Sequence, residues 1–178
     1  MMSSKWLFQL GLCLYIGGCQ NNANRAGQHS QQSTVATMTE SGPKFTKEGE
    51  LYFLSKVNND TLRKIDIELA TSAQERAQGL MDRKSMTDDQ GMLFIFPAAE
   101  QQAFWMKNTY ISLDIIYLDD HKEIVSVQKY TTPLSEESLP SFMKAQYVLE
   151  VNAGFCDKYH IAYGDKITFV EKKPGAVL

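Results

Sequence analysis

The chain has 178 residues, 43% hydrophobic and 22% charged, with a formal net charge of −3 that becomes one unit more negative without Lys5. That composition excludes a wholly disordered chain. The absence of a Lys/Arg block excludes nucleic acid as a partner class, because phosphate neutralisation needs clustered cations.

The N-terminal segment carries a single positive charge at Lys5 and then an apolar run from Trp6 to Ile16. About a dozen residues are too few to cross a hydrocarbon core of ~30 Å as a helix, so the run reads as a signal peptide over residues 1–18. It ends in Ile16-Gly17-Gly18-Cys19. An apolar residue, two small residues and a cysteine resemble the lipobox of bacterial lipoproteins. That resemblance implies a diacylglyceryl thioether on Cys19 and anchoring in the membrane through several acyl chains, which hold where one would not. Gln20 in place of Asp implies outer-membrane sorting, facing the periplasm, if the host is diderm. With Cys13 removed and Cys19 lipidated, only Cys156 remains, so no intrachain disulfide is expected. Residues 19–48 are then the lipidated cysteine and a polar tether. Rich in Gln, Asn, Ser and Thr, the tether cannot bury enough surface to offset its ordering entropy, and as a coil it spans roughly 30 Å.

Residues 49–178, about 130 of them, make one domain by size and can bury a core without disulfides. Leu51–Leu54 is a predicted strand, followed by the turn-forming Asn58-Asn59-Asp60. Arg63–Ala70 alternates Ile65, Ile67 and Leu69 with Lys64, Asp66 and Glu68, the pattern of a half-buried strand. Ser72 and Glu75 form a capping box that opens a short helix, and Gly79 ends it. Met92–Phe96 is an apolar strand stopped by Pro97, and Ala103–Met106 is another. Leu113–Leu118 and Glu123–Tyr130 flank the turn Asp119-Asp120-His121-Lys122. Thr131–Lys144, with Pro133 and Pro140, reads as a loop before a strand at Gln146–Val151. Asn152 is the predicted N-cap of a helix reaching Tyr159, and Gly164-Asp165 turns into a last strand, Lys166–Val170. Seven or eight short strands with two small helices predict a mainly β domain, either barrel-like or a sandwich.

Five blocks carry a resemblance across this domain: Arg76-Ala77-Gln78-Gly79-Leu80-Met81-Asp82-Arg83, Gln90–Pro97, Phe104-Trp105-Met106-Lys107-Asn108-Thr109, Leu113-Asp114-Ile115 and Tyr147–Gly154. In that order and spacing they resemble domain-of-unknown-function family 192, from about Ile65 to Phe169. The resemblance implies a β-barrel-like or jelly-roll-like domain, often secreted or lipid-anchored, with no established activity. Some relatives carry cysteines in the loop matching Thr131–Ser141, and this chain has none there.

Within these blocks Arg83, Lys107, Asn108 and Asp114 are polar residues in apolar surroundings, where a lone ion is costly to bury. Read structurally, Asp114 pairs with Lys107 or Arg83, and Asn108 closes a turn through its side chain. Read functionally, Arg83, Trp105, Lys107, Asn108 and Asp114 line a shallow pocket for a carboxylated or hydroxylated small ligand such as a sugar. Copper is a further reading, from Met38, Met81, Met86, Met92, Met106 and Met143 with His29, His121, His160 and Cys156. No pair has ligand spacing, however, and methionine in an apolar block is usually packing.

A thiol enzyme built on Cys156 and His160 is weaker, since a lone helical cysteine is more often buried and inert. There is neither a G-x-S-x-G elbow nor a phosphate loop. Leu134, Leu139, Phe142 and Met143 in the Thr131–Lys144 segment would suit contact with an envelope protein. The expectation is therefore a binding or accessory module rather than an enzyme, with no cofactor and either a small ligand or an envelope protein as partner.

Overall fold

The computed structural model describes residues 42–172. The signal-like segment, Cys19, His29, Met38 and most of the tether lie outside them. No helix among the described residues is long and apolar enough to cross a membrane.

The strands are β1 (Gly49–Leu54), β2 (Thr61–Ala70), β3 (Gln90–Phe104), β4 (Leu113–Leu118), β5 (Ile124–Gln128), β6 (Leu139–Asn152) and β7 (Lys166–Glu171). The helices are α1 (Ala73–Gln78) and α2 (Phe155–Lys158). All seven strands form one sheet in the order β5-β4-β6-β3-β2-β1-β7. The sheet curls until its two edges meet, where Glu123 bridges Lys166 and the Ile124 N–H donates to the Asp165 carbonyl at 2.8 Å. The mainly β expectation holds, and a single curled sheet gives the barrel-like form of it. Ahead of β1, the Thr46 N–H donates to Glu68 at 2.9 Å.

Both faces of the sheet are covered, each for a reason visible in the strand alternation. Leu51, Phe53, Ile65, Ile67, Leu93 and Leu149 fill the concave interior, closed by Phe155 and Cys156 of α2. Met92, Phe94, Ile115, Tyr117 and Val148 point the other way and pack beneath Leu80 and Met106. β2 and β3 are parallel neighbours, so the chain between them must cross over the sheet rather than turn back. That crossover contains α1 and lies on the second face. The capping box is formed as expected: Glu75 N–H donates to Ser72 Oγ at 3.2 Å and Ser72 N–H to Glu75 Oε2 at 2.8 Å. Gly79 ends α1 at φ 46°, and a Cβ there would stand 3.1 Å from the Phe94 ring.

Three local expectations are corrected. Pro97 does not stop a strand: β3 runs through it as one 15-residue element. The β3–β6 register shifts between Ile95 and Glu100, and Pro97 occupies that bulge, where no ladder N–H is required. The second half of the expected loop, from Leu139, is strand β6, because it pairs with the far end of β3. Finally, α2 is capped by Gly154 at φ 83° rather than by Asn152, whose side chain instead donates to the Met86 carbonyl at 2.7 Å.

Candidate functional site

The five residues singled out in the sequence fall in three places. Asp114 is fully buried on the concave side, opposite Val151 of β6. Its carboxylate accepts the Tyr130 and Cys156 backbone N–H groups, each at 3.0 Å, and so ties the β5–β6 loop and α2 to β4. It pairs with neither Lys107 nor Arg83, because backbone donors already satisfy it. Arg83 is buried on the other face, where Nη2 meets Glu68 Oε2 at 2.6 Å. The Lys64–Asp66–Glu68 series was expected to face solvent, but the segment after α1 covers Glu68 and supplies its partner.

Trp105, Lys107 and Asn108 lie at the surface. Lys107 Nζ sits 5.2 Å from the Trp105 ring and 3.6 Å from Glu136. Asn108 turns the chain through its backbone, at φ 52°, with its carbonyl accepting the Asp82 N–H at 2.8 Å. Of the five, Trp105 alone lines the cavity described next.

That cavity, of about 330 Å³, opens between the crossover and the sheet. Arg76, Gly79, Leu80 and Met81 bound it on the crossover side. Phe94, Phe96, Phe104, Trp105 and Glu150 bound it on the sheet side. The aromatic wall is braced by edge-to-face contacts, Phe94–Phe104 at 5.0 Å and Phe96–Phe104 at 6.4 Å between centroids. Such pairs add about 0.5–1.5 kcal/mol each beyond area burial.

Glu150 is the unusual member. It lies on β6 between Met92 of β3 and Ile115 of β4, is 5% exposed, and its Oε2 has no hydrogen-bond partner. Burial pushes its carboxyl up to about 8, so it holds its proton at neutral pH. Tyr117, on the same face of β4, is raised above the usual phenol range by burial and by Glu150, and its OH donates to the Leu139 carbonyl at 2.5 Å. At the opposite wall the Arg76 guanidinium lies 5.1 Å from the Phe96 ring centre. Its Nη1 donates to the Thr71 carbonyl and, at 2.9 Å, to the Ile95 carbonyl.

Glu150 escaped the sequence reading, although the signal that picked out Asp114, one acid inside an apolar strand, is equally present in Tyr147-Val148-Leu149-Glu150-Val151. A larger hollow of about 570 Å³ lies beyond Gly79 and is bordered by Glu48, Glu68 and Glu75. All three carboxylates accept hydrogen bonds, from Leu69, Arg83 and Ser72 respectively.

Other chemistries have less to stand on. Cys156 is buried and its thiol is pushed up to about 12 by burial, so it is a poor nucleophile. Met92 and Met106 pack in the core. Asp119, Asp120 and His121 cluster at a hairpin tip, but Asp119 Oδ1 is taken by the His121 and Glu123 N–H groups, each at 2.9 Å.

The blocks Arg76–Arg83, Gln90–Pro97, Phe104–Thr109 and Tyr147–Gly154 supply residues of this one cavity. The profile of the family described as "Uncharacterized ACR", domain-of-unknown-function family 192, matches residues 54–169. The chain belongs to that family. Among solved structures similar to this chain, a candidate transcription regulator from Sinorhizobium meliloti 1021 is 30% identical, with a TM-score of 0.66, over 71% of this chain and 98% of that one. A protein of unknown function from Novosphingobium aromaticivorans DSM 12444 is also 30% identical, with a TM-score of 0.63, over 67% of this chain and 83% of that one. No curated protein matches the chain.

Proposed function

We propose that this member of family 192 is a ligand-binding or accessory module of the cell envelope. It is anchored by lipid on Cys19 and takes a small organic molecule into the cavity between the α1 crossover and the sheet. One observation carries the reading: a buried carboxyl with an unpartnered oxygen, Glu150, set in an aromatic-walled cavity. An unsatisfied buried polar group costs about 1–3 kcal/mol, and a ligand that hydrogen-bonds to Glu150 would recover part of that cost. Four aromatic rings with five polar side chains, those of Arg76, Gln78, Gln102, Thr109 and Glu150, match the mainly apolar, partly polar make-up of a small-molecule site.

The test is a thermal-shift screen of the purified protein against sugars, carboxylates, amines and Cu(I). A ligand at 100 times its Kd adds about 2.7 kcal/mol, a shift of several degrees for a domain of this size. The shift should vanish when Trp105→Ala and Phe104→Ala are combined. A screen with no shift from any class counts against the site.

The anchoring is tested separately. Wild-type protein should sediment with membranes, and Cys19→Ser should release the unprocessed or soluble form and abolish acyl-chain labelling. Unchanged labelling in the variant would remove the lipid anchor from the reading. A second reading, contact with an envelope protein, is favoured by Phe142 and Met143, which stand 68% and 51% exposed on β6.

A further inference from the structure

The polar groups around the cavity are unequal in a way that sets the charge of its occupant, if the cavity is a ligand site as proposed above. Arg76 is half-buried, and both of its observed hydrogen bonds are made by Nη1 to backbone carbonyls. No carboxylate pairs with it among the described residues, so its positive charge is left uncompensated at the cavity wall. A guanidinium has five N–H donors, and those on Nε and Nη2 remain for a planar, charged acceptor. Thr71 and Ile95 hold the fork from behind, and Phe96 supports its face. The guanidinium is therefore fixed before any ligand arrives.

The charges facing Glu150 on the other wall favour the same sign of ligand. Across the sheet on its own face stand Met92 and Glu68, and Glu68 is already neutralised by Arg83. β4 contributes Ile115 and the neutral Tyr117 phenol. α1 contributes the cation, Arg76. With no cation paired to it and burial pushing its carboxyl up to about 8, Glu150 is an O–H donor at neutral pH. Arg76 and Glu150 thus both donate, Gln78, Gln102 and Thr109 are the other polar residues of the lining, and Phe94, Phe96, Phe104 and Trp105 supply its aromatic surface. We propose that the cavity takes a small ring-bearing carboxylate, its charged end on Arg76 and an uncharged oxygen at its other end accepting from Glu150.

An ammonium ligand is the natural competitor, because aromatic rings and an acid suit cations as well. It would need Glu150 ionised and would share the cavity with the guanidinium. The two possibilities respond oppositely to the same substitutions.

Isothermal titration of the full chain with 4-methoxybenzoate, its methyl ester and 4-methoxybenzylamine separates them, since the three share a ring and an ether oxygen but differ in charge. At pH 6.5 the carboxylate should bind at least about tenfold tighter than the ester or the amine. Arg76→Gln should erase that preference and Arg76→Lys should keep part of it, with thermal melts confirming that both variants fold. Above pH about 8 the carboxylate's affinity should fall about tenfold per unit as Glu150 loses its proton. Glu150→Gln, which keeps a donor, should bind with a flat pH profile.

Preference for the amine, lost in Glu150→Gln, would overturn the proposal, as would carboxylate binding indifferent to Arg76→Gln or failure of all three probes to bind. A cavity ligand lacking a carboxylate, found in the wider screen, would overturn it too while leaving the binding function intact. A screen with no ligand at all removes both.

Discussion

Glu150→Gln is expected to stabilise the protein at alkaline pH, with the gap between variant and wild type widening from about pH 5 to pH 8. The folded carboxyl titrates at about 8, while in the unfolded chain it returns to its ordinary 4.5. The folded state therefore holds a proton that the unfolded state releases. Below pH 4.5 both states are protonated and the group contributes its full share of stability. Between 4.5 and 8 the unfolded state is progressively favoured, and above 8 the loss is complete. One pKa unit is worth about 1.4 kcal/mol, so the total lost is on the order of 3–5 kcal/mol. Glutamine removes the titration and keeps the shape. Urea unfolding at pH 5, 7 and 9 should show the two proteins within about 1 kcal/mol at pH 5 and several kcal/mol apart at pH 9. Parallel curves would mean that Glu150 is solvated or paired.

Arg83→Ala should cost about 3–5 kcal/mol, a large part of the 5–15 kcal/mol a domain has in all. The loss is less that of an attraction than the stranding of Glu68, which would be left as a buried anion with only the Thr46 N–H at 2.9 Å. It follows that Arg83→Met combined with Glu68→Leu should recover most of the stability, because apolar residues of similar volume replace a buried pair at little cost. Chemical denaturation of both variants reads this directly. A single variant within 1 kcal/mol of wild type would show that the pair is not holding the crossover to the sheet. The same measurement decides how any ligand data on Arg83 are read, since a variant that unfolds says nothing about binding.

Three buried carboxylates show where local pattern stops being informative. Asp114, Glu68 and Glu150 each interrupt an apolar strand in the same way. Yet Asp114 is satisfied by two backbone N–H groups, Glu68 by Arg83, and Glu150 by nothing on Oε2. What separates them is which element lies across each face, and that depends on strand order. Alternation places residues on a face but does not say what covers the face. In the same way Pro97 looked like a stop because strand propensity is local. Whether a proline breaks a strand depends on the partner's register, and here a bulge opposite β6 accommodates it.

By itself the sequence determined the near-neighbour features: the alternating strands, the Ser72–Glu75 capping box, the Asp119–Lys122 turn, the mainly β class and the family. All of these rest on interactions within a few residues or on motifs read in order. Tertiary structure alone decided the curl that joins β5 to β7, the parallel β2–β3 pairing that lays α1 across the sheet, and the meeting of Arg76, Trp105 and Glu150 around one cavity. Those depend on contacts between segments as many as 74 residues apart (Arg76 to Glu150), and no local energy term in the chain encodes which face of which strand another segment will cover.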